Sequence, residues 1–233
     1  AFGWEIPTYV HLPLITKTDG TKISKRAGDA SFEDLLEMGY LAEAVVNYVA
    51  LLGWSPGTNQ EIFSLAELEK AFSISGISKS PAAFDFVKLN WFNGEYIRRL
   101  STDRFNQLAK PYYEKVLAGK NIDYMKLSRL LQVRTDVLNT IPDTIDFIVA
   151  LPDYSKELYI HKKSKTNLEN SLESLKAALP VLESIDDWNE QAINDELMNL
   201  IERMGIKNSQ MLWPIRIAIS GKLVTPGGAI EIA

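Results

Sequence analysis

The chain has 233 residues, a formal charge of −5, 46% apolar residues and no cysteine. That length and apolar content are enough for one or two domains with real cores, while the absence of cysteine excludes a disulfide framework and a Cys-based metal site. The acidic balance excludes general nucleic-acid affinity, so contact with a polyanion must come from local clusters of Lys and Arg.

In chain order, residues 1–16 are an approach and a strand, with Tyr9, Val10, Leu12, Leu14 and Ile15 supplying β-favouring side chains around Pro13. The strand ends at Lys17-Thr18-Asp19-Gly20-Thr21-Lys22-Ile23-Ser24-Lys25-Arg26-Ala27-Gly28. Asp19-Gly20 is turn chemistry, because Gly takes the positive φ that a tight reversal needs. Lys22, Lys25 and Arg26 then crowd together and repel one another unless an anion joins them. Polyphosphate suits such a loop, with ammonium groups acting as mobile charges and the Ser24 hydroxyl fixing position.

Ser31 with Asp34 three residues on is a capping box that opens a helix, which Gly39 closes. Leu41, Ala44, Val45, Tyr48, Leu51 and Leu52 then form a buried helical stripe. Ser55-Pro56-Gly57 is a turn, and Ser64 with Glu67 opens a helix with Leu65, Leu68 and Phe72 inward. Ser80-Pro81 reads as a further helix start, with Ser as cap and Pro at the first helical position. Phe84, Val87, Leu89, Trp91 and Phe92 read as core, with base stacking beside Arg98 and Arg99 as the alternative.

From Ser101 onward the pattern is helical. Phe105, Leu108, Tyr112 and Val116 share a face, and Pro111 is expected to kink or split that helix. Short apolar segments follow, stopped by Pro142 and Pro152. A longer helix, from about residue 166 to 179, places Leu168, Leu172, Leu175 and Leu179 inward until Pro180 stops it. Another over 190–204 buries Ile193, Leu197, Leu200, Ile201 and Met204, with Gly205 as its cap. A last helix near 209–219 leads to the turn-forming Thr225-Pro226-Gly227-Gly228. Basic clusters recur at Lys22/Lys25/Arg26, at Arg98/Arg99/Arg104, at His161-Lys162-Lys163-Ser164-Lys165 and from Lys207 through Arg216 to Lys222. The two histidines, His11 and His161, are far apart in sequence, which argues against zinc.

Several stretches occur in one order: His11-Leu12-Pro13-Leu14-Ile15, the KISKR loop, Ser31 through Leu41, Asn47 through Ser55, Glu61 through Leu65, Ser78 through Ala82, Lys88-Leu89-Asn90-Trp91-Phe92-Asn93-Gly94 and Leu212-Trp213-Pro214-Ile215-Arg216. This series resembles bacterial-type glutamyl-tRNA synthetase, a class I aminoacyl-tRNA synthetase. The pentapeptide then corresponds to the KMSKS sequence, with Ile23 and Arg26 in place of its Met and final Ser. The resemblance implies a mainly α fold with a short remnant of an α/β catalytic domain over 1–30, a stem-contact domain over 31–100, and two helical anticodon-binding subdomains over 101–150 and 151–233, the second truncated.

It further implies that Lys22 and Lys25 are catalytic and that Lys22, Ile23, Ser24, Lys25 and Arg26 bind ATP. Arg98 and Arg99 would lie on the tRNA stem, and Arg216, Thr225 and Pro226 on the anticodon, with Arg134 a further candidate. Gly228 stands where many relatives carry an apolar residue. The implied substrates are ATP with Mg2+, glutamate and tRNA(Glu), handled by a cytoplasmic monomer with no resident metal and no membrane contact. No initiator Met, signal peptide, HIGH-type tetrapeptide, GxGxxG or Walker sequence is present. The expectation is a C-terminal piece that is inactive in adenylation by itself. A free-standing helical RNA-binding module is the alternative, and it has no use for a phosphate loop at a strand end.

Overall fold

The computed structural model describes residues 3–5, 7, 9–24 and 28–233, so Lys25 and Arg26 lie outside the described residues. Among those described, two short strands and eleven α-helices form two compact units. The first comprises the chain up to Leu100 together with Asp136–Leu138, and the second comprises Ser101–Thr135 with Asn139 to the end.

In the first unit, β1 (Ile15–Lys17) pairs in parallel with β2 (Ala82–Phe84), Ile15 opposite Ala82 and Lys17 opposite Phe84. Four helices complete it: α1 (Phe32–Glu37), α2 (Ala42–Gly53), α3 (Leu65–Ala71) and α4 (Phe86–Arg99). Both expected capping boxes are present, and they satisfy amide donors that a helix start leaves open. The Asp34 N–H donates to Ser31 Oγ at 3.2 Å and the Ser31 N–H to Asp34 Oδ2 at 2.7 Å. Ser64 and Glu67 repeat the arrangement at the start of α3.

Leu35, Tyr40, Val45, Tyr48, Leu89, Phe92 and Val137 make one core cluster, and Trp54, Phe63 and Leu68 another. Full burial of side chains such as Leu89 and Phe92 stabilises by about 1.5–3 kcal/mol each. The buried Asn93 accepts from the Leu41 N–H at 2.8 Å and donates to the Asp136 carbonyl at 2.6 Å, tying α4 to the start of α2 and to the 136–138 segment.

Two expectations are corrected here. The strand spans only Ile15–Lys17, because ladder pairing extends no further than the three residues of β2, and Tyr9, Val10, Leu12 and Leu14 are exposed. Ser80-Pro81 does not open a helix. The Ala82 N–H donates to the Leu14 carbonyl, the chain pairs with β1, and α4 begins only after Asp85, which caps it by accepting from the Val87 N–H at 2.8 Å.

In the second unit, α5 (Thr102–Leu117), α6 (Tyr124–Gln132) and α7 (Ile141–Ile145) bury Phe105, Ala109, Tyr113, Leu117, Leu131, Ile141 and Ile145. Pro111 lies inside α5 without dividing it. The inward face runs through Phe105, Ala109, Tyr113 and Leu117, one position round from the stripe expected from Leu108, Tyr112 and Val116.

Helices α8 (Leu168–Glu183), α9 (Glu190–Met204), α10 (Asn208–Ser220) and α11 (Ala229–Ile232) surround a core of Ala178, Ile193, Leu197, Leu200, Ile201, Met211 and Ile215. Here α8 runs through Pro180, and Leu168, Leu172 and Leu179 are exposed, contrary to the leucine stripe. Its inward face carries Ser171, Ser174 and Ala178, small side chains that let a neighbouring helix approach closely. Helix α9 matches its expected boundaries, and Gly205 ends it in the left-handed conformation at φ 64°.

Candidate nucleotide and nucleic-acid sites

The KISKR loop hangs from β1. The Gly20 N–H returns to the Lys17 carbonyl at 2.9 Å and the Lys17 N–H to the Thr21 carbonyl at 2.7 Å, which reverses the chain so that Lys22 forms an antiparallel bridge with Thr16. Asp19 holds the turn by accepting from the Thr21 N–H and hydroxyl at 2.9 and 2.6 Å.

The far end of the loop is held by Asp29, whose Oδ1 lies 2.7 Å from Lys17 Nζ and whose Oδ2 accepts from the Ser24 N–H at 2.9 Å. The Lys17 ammonium, then the Ser24 N–H, keep the Asp29 carboxyl below its ordinary range. Lys17 is thereby neutralised, whereas Lys22 is exposed and has no carboxylate partner among the described residues. Beside the loop lies a cavity of about 800 Å³ lined mainly by apolar side chains, including Ile15, Ile23, Val45, Val49, Phe84 and Phe86.

On α4 the two adjacent arginines differ. Arg98 reaches Glu95 Oε1 at 3.0 Å and Asp136 Oδ1 at 3.1 Å, lying across Gly94, where a Cβ would meet both Asp136 Oδ1 and the guanidinium. Arg99 is exposed and forms no ion pair among the described residues.

In the second unit, the candidates Arg134, Arg216, Thr225 and Pro226 come together. Arg134 follows the end of α6, and its Nη1 donates to the Pro226 carbonyl at 2.7 Å and to the Leu130 carbonyl at 3.2 Å. Arg216, on α10, lies with Cζ 4.5 Å from the ring centre of Trp213. Partial burial, and then the charge of Arg134, lower the Arg216 pKa from its ordinary value. Among the described residues neither arginine has a carboxylate partner.

Thr225 and Pro226 are buried, and the Thr225 hydroxyl donates to the Gly227 carbonyl at 2.6 Å, so these residues shape the loop from within. The loop leaves α10 at Gly221, whose φ is 64° and where a Cβ would come 2.7 Å from Tyr154 Cδ1. Lys222 is held by the Asp143 carbonyl and by Asp146 Oδ1 at 2.7 Å.

Sequence reasoning missed Asp29, Trp213 and the exposed Leu223 and Val224 in this loop, which are 55% and 69% exposed. Leu223 and Val224 were legible as apolar residues inside a turn-forming stretch. The role of Asp29 depends on a loop closure that spacing does not announce.

Two family models match this arrangement. Residues 1–91 match the catalytic domain of class I tRNA synthetases (E and Q), and residues 104–233 match an anticodon binding domain. A glutamate–tRNA ligase of Clostridium tetani is 58% identical over the whole chain, and one of Clostridium botulinum 57%. The chain spans 48% of the length of each. A crystal structure of a glutamate tRNA ligase from Elizabethkingia meningosepticum, in complex with its amino acid, superposes with a TM-score of 0.77 at 25% identity, over 99% of this chain and 49% of that one. Glutamate–tRNA synthetase from Elizabethkingia anophelis gives 0.74 at 26%, over 99% and 48%. The chain belongs to the glutamyl-tRNA synthetase family of class I aminoacyl-tRNA synthetases and carries that family's anticodon-binding domain.

Proposed function

We propose that this chain serves the ATP-dependent attachment of glutamate to tRNA(Glu), binding the tRNA through its second unit and acting on ATP through the KISKR loop. The observation that carries the reading is the hydrogen bond from Arg134 to the Pro226 carbonyl at 2.7 Å, together with Arg216 on the Trp213 ring: two guanidinium groups with no acid to neutralise them among the described residues, the charge of the first lowering the pKa of the second. Such a pair is incomplete without an acceptor-rich ligand, and unpaired anticodon bases offer acceptor edges to planar guanidinium donors. Arg216, Arg134, Thr225 and Pro226 form the anticodon site in this reading, the last two by setting the loop's shape. Arg99 contacts the tRNA stem, and Arg98 supports that segment.

In the first part of the chain, Lys22 and Lys25, with Ile23, Ser24 and Arg26, hold ATP. Their ammonium groups stabilise charge on the phosphates as the glutamate carboxylate attacks the α-phosphorus and pyrophosphate leaves. Mg2+ enters with the nucleotide in this reading, carried on its phosphates. The working form is a cytoplasmic monomer. No helix among the described residues is long and apolar enough to cross a membrane.

The test is binding of tRNA(Glu) transcripts with native and altered anticodons to this chain. Arg216→Ala should cost about 1–3 kcal/mol with the native anticodon and much less with the altered one. Equal losses on both would remove Arg216 from base reading.

A further inference from the structure

Arg216 lacks the usual means of fixing a guanidinium. Among the described residues it has no ion pair and no side-chain hydrogen bond, and what it rests on is the indole of Trp213. The indole is therefore a determinant of where this guanidinium lies.

Three contacts fix the indole. Trp213 is carried by α10, its Nε1–H donates to the Leu158 carbonyl at 2.9 Å, and the His161 ring lies on it with centroids 3.7 Å apart and planes within 4°. The imidazole is itself tightly held. His161 and Thr166 exchange backbone hydrogen bonds at 3.2 Å in both directions, closing a short turn in which Lys165 adopts a positive φ of 56°. A non-glycine residue in that region costs free energy that the surrounding contacts must offset.

Within the turn, the buried Ser164 donates its N–H to His161 Nδ1 at 3.2 Å and places its hydroxyl 2.8 Å from the same atom. An Nδ1 that accepts from an N–H leaves the ring proton on Nε2 in the neutral imidazole. The ring is thus fixed in position and tautomer, then laid flat on the tryptophan that carries the unpaired arginine. The neighbouring Lys162, Lys163 and Lys165 are exposed, and none of them forms an ion pair among the described residues.

We propose that His161 is a positioning residue for Arg216, acting through Trp213, and so contributes to discrimination among anticodons without touching the RNA. This rests on the reading of Arg216 as a base-reading residue. It separates His161 from the lysines beside it in sequence, which are exposed.

The experiment compares Kd for tRNA(Glu) transcripts with native and altered anticodons across the wild-type chain, Arg216→Ala, His161→Ala and His161→Phe. Proton NMR of the imidazoles accompanies it, with His11 as the internal reference. In the wild type the His161 ring protons should be displaced upfield of those of His11 by the indole ring current. His161→Ala should lower the ratio of affinities for the two transcripts roughly tenfold, mainly through the native one, while His161→Phe, which keeps a flat ring on Trp213, restores it. A purely structural His161 would lower thermal stability and leave the ratio unchanged. A phosphate-contacting His161 would lose affinity for both transcripts alike, with no rescue by Phe. Either result overturns the proposal. If Arg216→Ala removes discrimination while His161→Ala retains it, only the positioning role falls. If Arg216→Ala itself leaves the ratio intact, the anticodon-site reading falls and takes this inference with it.

Discussion

Arg98 and Asp136 face each other at 3.1 Å across Gly94, and the same guanidinium holds Glu95 at 3.0 Å. A cation already shared by two carboxylates has little left to offer a phosphate. Arg98→Ala is accordingly expected to cost roughly 0.5–1 kcal/mol of stability, the scale of partly exposed ion pairs, and to leave the salt dependence of tRNA binding unchanged. Arg99→Ala should leave stability alone and reduce the salt slope by about one. Urea denaturation and a salt titration of tRNA affinity check both, and a reduced slope for Arg98→Ala would reverse the assignment.

Asp29 joins the two ends of the KISKR loop, so its protonation should release it. Its carboxyl sits below the ordinary value because Lys17, and then the Ser24 N–H, favour the charged form. The contribution to loop order is therefore complete above the unfolded carboxylate value of about 3.9 and is lost as pH falls through the lower folded value. Amide exchange at Ser24 should accelerate in Asp29→Asn at neutral pH, and in the wild type only in acid. In a ligase carrying this chain, Lys25→Ala should slow glutamate activation about a hundredfold and Asp29→Asn by less. Slow Ser24 exchange in Asp29→Asn would show that the loop is held by something else.

Tyr113 gives an alkaline counterpart. Burial pushes its phenol up to about 12, against the opposing hydrogen bond with Ser128. A raised folded value means that its contribution is intact below the unfolded value of about 10 and is lost as pH climbs towards the folded one. Tyr113→Phe should cost about 1 kcal/mol at neutral pH, for the lost hydrogen bond, and flatten the alkaline fall in stability. Denaturation followed by circular dichroism at several pH values decides it, and an unchanged alkaline slope would count against Tyr113.

Gly221 is required twice over, by a left-handed φ and by the closeness of Tyr154 and Pro152. Gly221→Ala should destabilise the second unit by at least about 1–2 kcal/mol from the backbone alone. It should also weaken discrimination between anticodons, because the Thr225–Pro226 loop starts there. A variant with wild-type stability would mean that Tyr154 yields freely.

Local signals in the sequence were reliable where the interaction closes within a few residues. The Ser31/Asp34 and Ser64/Glu67 boxes and the Gly205 cap are all present as read. Ser80-Pro81 misled because its helix-start chemistry lost to pairing with β1, a partner remote in sequence. Three of the four α8 leucines misled for a different reason: the buried face bears Ser171, Ser174 and Ala178, with Leu175 packed on the core as expected, and periodicity weights large apolar residues over small ones. The separate basic residues of the proposed anticodon site are visible one by one in the sequence. Their assembly is not, since the Trp213 stack and the Arg134–Pro226 hydrogen bond join segments whose proximity only the fold decides.

That last hydrogen bond has a kinetic consequence. Arg134 and Pro226 are 92 positions apart, so their hydrogen bond closes a long loop of chain. Contacts of such long range carry their loop-closure entropy before returning any stabilisation, and they tend to form late. Arg134→Ala, which removes this closure, is therefore expected to speed unfolding more than it slows refolding.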